Sequence, residues 1–138
     1  NPLCDIMIQL ISKKDELWGQ KLLAKLIKKI DVNPITYEMN ITKEETLEIY
    51  KYLKNPTNKL KVNILRKSRR DRNQYNNIYP LLIVRDEDNI LLPALDFELE
   101  IDDKVLFACD KNAKEDLLHI ANNIYEFHYI MIVLFGGF

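Results

Sequence analysis

Three groups of side chains have the types and spacing to do chemistry. The first is the acidic run Asp96, Glu98, Glu100, Asp102 and Asp103. On an extended strand Asp96, Glu98 and Glu100 fall on one face, where three carboxylates could converge on a hard divalent cation such as calcium or magnesium. The competing reading is a solvated face, with Asp103 a turn residue that bonds backbone amides. The second group is the basic run Arg66-Lys67-Ser68-Arg69-Arg70-Asp71-Arg72, five cations in seven residues, followed by Tyr75 and Tyr79. Arg66, Arg69 and Arg70 could hold the phosphate of a small anionic ligand such as a nucleotide, with a tyrosine stacking its base. A solvated loop is the alternative, and no second basic patch extends this one to a nucleic-acid footprint. The third group is His119, His128, Cys4 and Cys109, which lie at no zinc-ligand spacing. Pro93, Asp96, Glu100 and Lys104 loosely imitate a metal-dependent nuclease motif, which is the alternative reading, an enzyme using strand 96–103 and loop 66–72. No G-x-S-x-G and no Cys/His pairing points to nucleophilic catalysis, and the expectation is that the chain is not an enzyme.

Composition narrows the classes further. With 47% apolar and 30% charged residues the 138-residue chain is neither disordered nor an integral membrane protein, and it is long enough to bury a core. A net charge of −1 gives no field that would drive it onto nucleic acid or anionic lipid. Two cysteines far apart in sequence read as free thiols in a reducing, cytoplasmic setting. The start Asn1-Pro2 reads as that of a piece of a longer protein. The longest apolar run, 129–138, is half of the ~20 residues that span a bilayer. Three glycines, Gly19, Gly136 and Gly137, cannot build a dinucleotide or P-loop cradle.

The elements that must position these groups follow from periodicity. Residues 3–11 suit a short helix or a strand. Ser12 to Asp15 resembles a capping box, and Leu23, Leu26, Ile27 and Ile30 form a helical stripe, broadened by Trp18 and Leu22. Ile35, Tyr37, Met39 and Ile41 alternate as a strand. Thr42 to Glu45 is a capping box for a helix over 43–53 with Leu47, Tyr50 and Leu53 inward. Leu60, Val62 and Ile64 alternate as another strand. Residues 81–84 and 90–92 make a hairpin, Phe97, Leu99 and Ile101 a half-buried strand, and 105–109 a further one. Asp110 to Asn112 offers N-caps for a helix that ends near Asn123, with Leu117, Ala121 and Ile124 on one face. Tyr125, Phe127, Tyr129 and Met131 alternate as a last strand. The expected fold class is α+β, a small β-meander sheet with helices on one face, preceded by an amphipathic N-terminal helix.

Residues 79–109 carry a resemblance. Val84-Arg85-Asp86, Ile90-Leu91-Leu92-Pro93, Asp96 and Leu99–Phe107 are similar to the Arg-acidic turn, the Ile-Leu-Pro step and the Leu-x-x-Gly-Asp segment of the RCK/TrkA-C family. These are cytosolic regulators of potassium channels and transporters, and the resemblance covers roughly 35–124. Where the family has glycine this chain has Asp102, so a turn that usually takes a positive φ must be made by an aspartate. The resemblance implies a linking helical segment over 1–33 and a TrkA-C-like regulatory subdomain over 34–138. It implies a homodimer that couples binding of a small ligand or ion to potassium transport, with the Met39/Ile41 strand and the 79–109 meander as dimer surface. A preceding Rossmann-type domain, not part of this chain, would take nucleotides. Arg85, with the basic loop, becomes the first ligand-binding candidate. On this resemblance the effector would be a nucleotide, a cyclic dinucleotide or a divalent cation, and no resident cofactor is expected. The resemblance implies as partner a membrane potassium channel or transporter subunit, reached from the cytosolic face of the membrane.

Overall fold

The structure, a computed structural model, describes residues 35–131. The expected amphipathic helix within 1–33, Cys4 and the apolar tail beyond Met131 lie outside the described residues. Strand β1 (Ile35–Asn40) is followed by helix α1 (Leu47–Leu53) and a 3-10 turn (Val62–Arg66). Strands β2 (Ile78–Arg85), β3 (Asp88–Leu91) and β4 (Lys104–Cys109) come next, and helices α2 (Lys111–Asn122) and α3 (Ile124–Met131) close the described chain. The four strands form one antiparallel sheet in the order β1-β4-β2-β3. This is the α+β class expected.

Alternation explains the sheet. Val105, Phe107 and Cys109 of β4 turn inward with Met39 of β1 and Ile83 of β2, all fully buried. They join Ile49 of α1, Ala113, Leu117 and Ile120 of α2, and Phe127, Ile130 and Met131 of α3 in one core. The opposite face carries Glu38, Leu82, Val84, Lys104 and Leu106 around a shallow hollow of about 180 Å³. Pro80 has no N–H for the ladder, and the β2/β4 register slips just there, leaving Leu81 as the extra residue. Its carbonyl accepts from Leu92 N at 2.8 Å, and Leu92 takes φ 48°.

Several expectations need correction. Half of the Thr42 box forms, Glu45 N donating to Thr42 Oγ1 at 3.2 Å, while Glu45 Oε2 accepts from Asn40 N at 3.0 Å and Thr42 N donates to Asn40 O instead. It makes a turn, and α1 begins only at Leu47, held by Asn122 Oδ1, which accepts from Leu47 N at 3.1 Å. Ile49 faces the core, while Leu47, Tyr50 and Leu53 are half-buried. The segments at 60–64 and 97–101 are not sheet strands. They pair with each other through the single bridge Lys61–Glu98, with Leu99 N donating to Leu60 O and Val62 N to Phe97 O. The 3-10 turn then curls the first segment away and ends the pairing. Leu99 is still buried and Asp96, Glu98 and Glu100 exposed, so the pattern reported burial correctly and hydrogen bonding wrongly.

The last described element is a helix where a strand was expected. Asn123 ends α2 and caps α3, its Oδ1 accepting from Tyr125 N at 2.9 Å and Glu126 N at 3.2 Å. Phe127, Ile130 and Met131 are buried at helical spacing, while Ile124 and Tyr125 stay exposed.

Candidate functional site

The site grows from two adjacent strand ends. Arg85 closes β2 at the hairpin turn, where Asp86 takes φ 53°. Asp103 directly precedes β4, the strand paired with β2. Between them runs the tight turn Glu100–Asp103, in which Asp103 N donates to Glu100 O at 3.2 Å and Asp102 sits at φ 72°. The aspartate therefore does take the left-handed conformation expected of it. Asp102 N donates to Ile41 O, and Ile41 N to Asp103 O, both at 2.9 Å, which ties this turn to the end of β1.

The turn aims Asp103 inward, where its side chain has no exposure, and Arg85 meets it with two parallel bonds. Nε donates to Oδ1 at 2.9 Å and Nη2 to Oδ2 at 2.8 Å. Oδ2 also accepts from Glu100 N at 2.8 Å, so a buried carboxylate is satisfied by a charge and an amide. Arg85 Nη2 donates to the Glu98 carbonyl at 3.0 Å and Nη1 lies 2.6 Å from Glu100 Oε2. The guanidinium carbon sits 5.0 Å from the centroid of Phe97. Hydrogen bonding to Asp103, then the nearby charges of Asp103, Glu100 and Asp86, raise the Arg85 pKa above its ordinary value against the opposing effect of burial.

Beside this clamp opens a cleft of about 530 Å³. One wall is the end of α1 and the chain after it, with Leu53, Pro56, Asn58 and Lys59, and the other is Arg85 with residues 98–101. Leu53, Pro56, Leu99 and Ile101 give it an apolar surface. Lys59 stands on one wall and Arg85 beside Glu98 and Glu100 on the other, and the volume lies in the range of small-molecule sites.

Of the expected site residues, Arg85, Glu98 and Glu100 come together on this cleft, and Arg66, Arg69, Arg70 and Asp96 are not among its lining. Arg66 is buried, its Nε donating to Ile78 O at 2.7 Å and its Nη1 to Asn63 Oδ1 at 2.9 Å, with its guanidinium between the rings of Tyr75 and Tyr79. Arg69 is paired with Glu126 on α3, and its N–H donates to Asp116 on α2. Arg72 N donates to Tyr129 Oη at 3.1 Å. The basic loop is thus pinned to both described C-terminal helices, and of its five cations only Arg70 is exposed. Asp96 is exposed in the turn Ala94–Phe97. Among the described residues no three His, Cys, Asp or Glu side chains are gathered in a way that could hold a metal ion. Sequence reasoning missed Lys59 and the pairing of Asp103 with Arg85, although it read Asp103 as a turn residue that bonds backbone amides, as it does Glu100 N.

The chain matches no protein-family model, no curated protein and no solved structure. Among the described residues no helix is long and apolar enough to cross a membrane.

Proposed function

We propose that residues 34–138 form a ligand-sensing regulatory domain of the RCK/TrkA-C kind, cytosolic and not catalytic. It pairs with a second copy and couples occupancy of the Arg85 cleft to the gating of a potassium channel or transporter. The observation that carries this reading is the Arg85–Asp103 clamp on the wall of the cleft. It joins two of the segments on which the resemblance rests, the Arg-acidic turn at 84–86 and the Leu-x-x-x-Asp segment at 99–103, one residue from each. The positive φ of Asp102, at the position of the family's glycine, supports the same reading.

The dimer surface needs revision within this proposal. Met39 and Ile41 are fully buried in the core and cannot meet a partner. We assign pairing to the other sheet face, around Leu82, Val84 and Leu106. Ligand must then bind one dimer geometry more tightly than another, since equal affinity shifts nothing. The test is the solution mass of the chain together with a thermal-shift panel of divalent cations, mononucleotides, dinucleotides and cyclic dinucleotides. A dimer is expected, with one ligand at about a hundred times its dissociation constant adding about 2.7 kcal/mol. A monomer stabilised by none of them would overturn the reading.

A further inference from the structure

The two sides of the Arg85 guanidinium are held very differently. Nε and Nη2 are locked onto both oxygens of Asp103, a carboxylate with no exposure. Among the described residues Nη1 meets Glu100 Oε2 alone, at 2.6 Å, and the Glu100 side chain is 60% exposed on the rim of the cleft. A buried bidentate pair fixes geometry, whereas an exposed single contact is screened by water and salt and contributes little. Glu100 can therefore swing into solvent while Arg85 keeps its orientation through Asp103 and the Glu98 carbonyl. Nη1 then loses that partner, on a side chain that lines a cavity of about 530 Å³.

We propose that the cleft binds a small organic anion, a phosphate or carboxylate on a compact apolar body, whose oxygen replaces Glu100 Oε2 on Arg85 Nη1. This rests on the reading of the cleft as a ligand site. Glu100 is then a resident stand-in for the ligand's headgroup. The exchange replaces one anion by another at Arg85, so the guanidinium is paired in both states. Lys59 on the facing wall supplies a second cation, and Leu53, Pro56, Leu99 and Ile101 receive the apolar body. Glu98 and Glu100 also keep the empty cleft from collecting bare anions, so selection falls to the body as well as the headgroup.

The test titrates the wild-type chain, Glu100→Gln and Lys59→Ala with phenyl phosphate, benzoate and inorganic phosphate. Binding is followed by NMR at the Arg85 Nε–H and the backbone amides of 98–101. Glu100→Gln, unchanged in its overall spectrum, should bind phenyl phosphate about tenfold more tightly than wild type, or about 1.4 kcal/mol. Lys59→Ala should bind it several-fold more weakly. Inorganic phosphate should be the weaker probe throughout, and phenyl phosphate against benzoate identifies the preferred headgroup. The proposal is overturned if Glu100→Gln binds no more tightly than wild type, or if no anion gives a saturable shift at the cleft. A ligand from the thermal-shift panel that binds wild type and Glu100→Gln equally would leave the sensing reading standing and sink this one. If neither the panel nor the anions bind, both fall.

Discussion

An arginine is a poor guide to a binding site until its donors have been counted. Arg66 donates to a backbone carbonyl and an asparagine, Arg69 to Glu126, and Arg85 spends three contacts on Asp103 and Glu98 before its last nitrogen reaches the cleft. This contrast predicts two unequal mutants. Asp103→Asn removes the charge opposite a partly buried guanidinium, and breaking such a pair from one side is costly. Because the Arg85 side chain retains 28% exposure the cost is placed at about 2–3 kcal/mol, below the fully buried range. Glu100→Gln, on the exposed side of the same guanidinium, should change stability by less than about 1 kcal/mol. Urea denaturation of the two variants checks the ranking, and equal losses would mean that Asp103 is no anchor. A third substitution tests the turn. At φ 72°, Asp102 adopts a conformation that costs an L-residue roughly 1–2 kcal/mol, and glycine relieves it at some entropic cost in the unfolded chain. Asp102→Gly should therefore stabilise by about 0.5 kcal/mol, and any loss of stability would show that the aspartate contributes more than its backbone conformation. At this scale the sequence showed which residues were charged and which turn needed a positive φ. It did not show which cation lay beside which carboxylate, because Arg85 and Asp103 are eighteen residues apart and meet only through strand pairing.

Helix starts in this fold are set by single side chains. Asp110 caps α2, its Oδ1 accepting from Ala113 N at 2.7 Å. Asn123 caps α3 twice over with one oxygen. Asp110→Ala and Asn123→Ala should each cost about 1 kcal/mol, measured by chemical denaturation. The loss in Asn123→Ala should be accompanied by faster amide exchange confined to α3, and uniform exchange across the molecule would count against a local cap. The same residues explain what could be read beforehand. Asp110 was legible because an aspartate stood between an apolar strand and an amphipathic stripe. Asn123 was legible only as a stop, since the residues after it alternate in polarity over four positions as well as they repeat at helical spacing. Phe127 and Met131 satisfy both patterns, and burial of Ile130 decides for the helix. The box at Thr42 misled in the opposite sense. One of its two local bonds forms, but the start of α1 is held by Asn122, seventy-five residues away, which no local pattern reports.

For the molecule as a whole, one core runs from Met39 in β1 to Met131 in α3, so titration at one point in the sheet is felt as global stability. Two groups in neighbouring strands hold their protons unusually tightly. Burial pushes the Cys109 thiol from 9.0 up to about 12, aided by the charge of Asp110. Burial, with Glu45 and Cys109 nearby, pushes Tyr37 from 10.0 to about 12. The unfolded chain releases the same protons near the ordinary values, so above about pH 9 it binds fewer protons than the folded one. Stability is then fully present below pH 9 and falls as pH rises towards 12, by at most about 1.4 kcal/mol per pH unit for each group. The two contributions separate by window. Cys109→Ala should flatten the loss from pH 9 upward, at the cost of some packing at neutral pH, because Cys109 is fully buried. Tyr37→Phe should leave the curve unchanged up to pH 10 and flatten it only beyond. Unfolding free energies measured at half-unit steps from pH 7 to pH 11 distinguish the two. If Cys109→Ala fell as steeply as wild type between pH 9 and 10, where Tyr37 has yet to titrate in the unfolded chain, the thiol would not be the group that ties stability to pH.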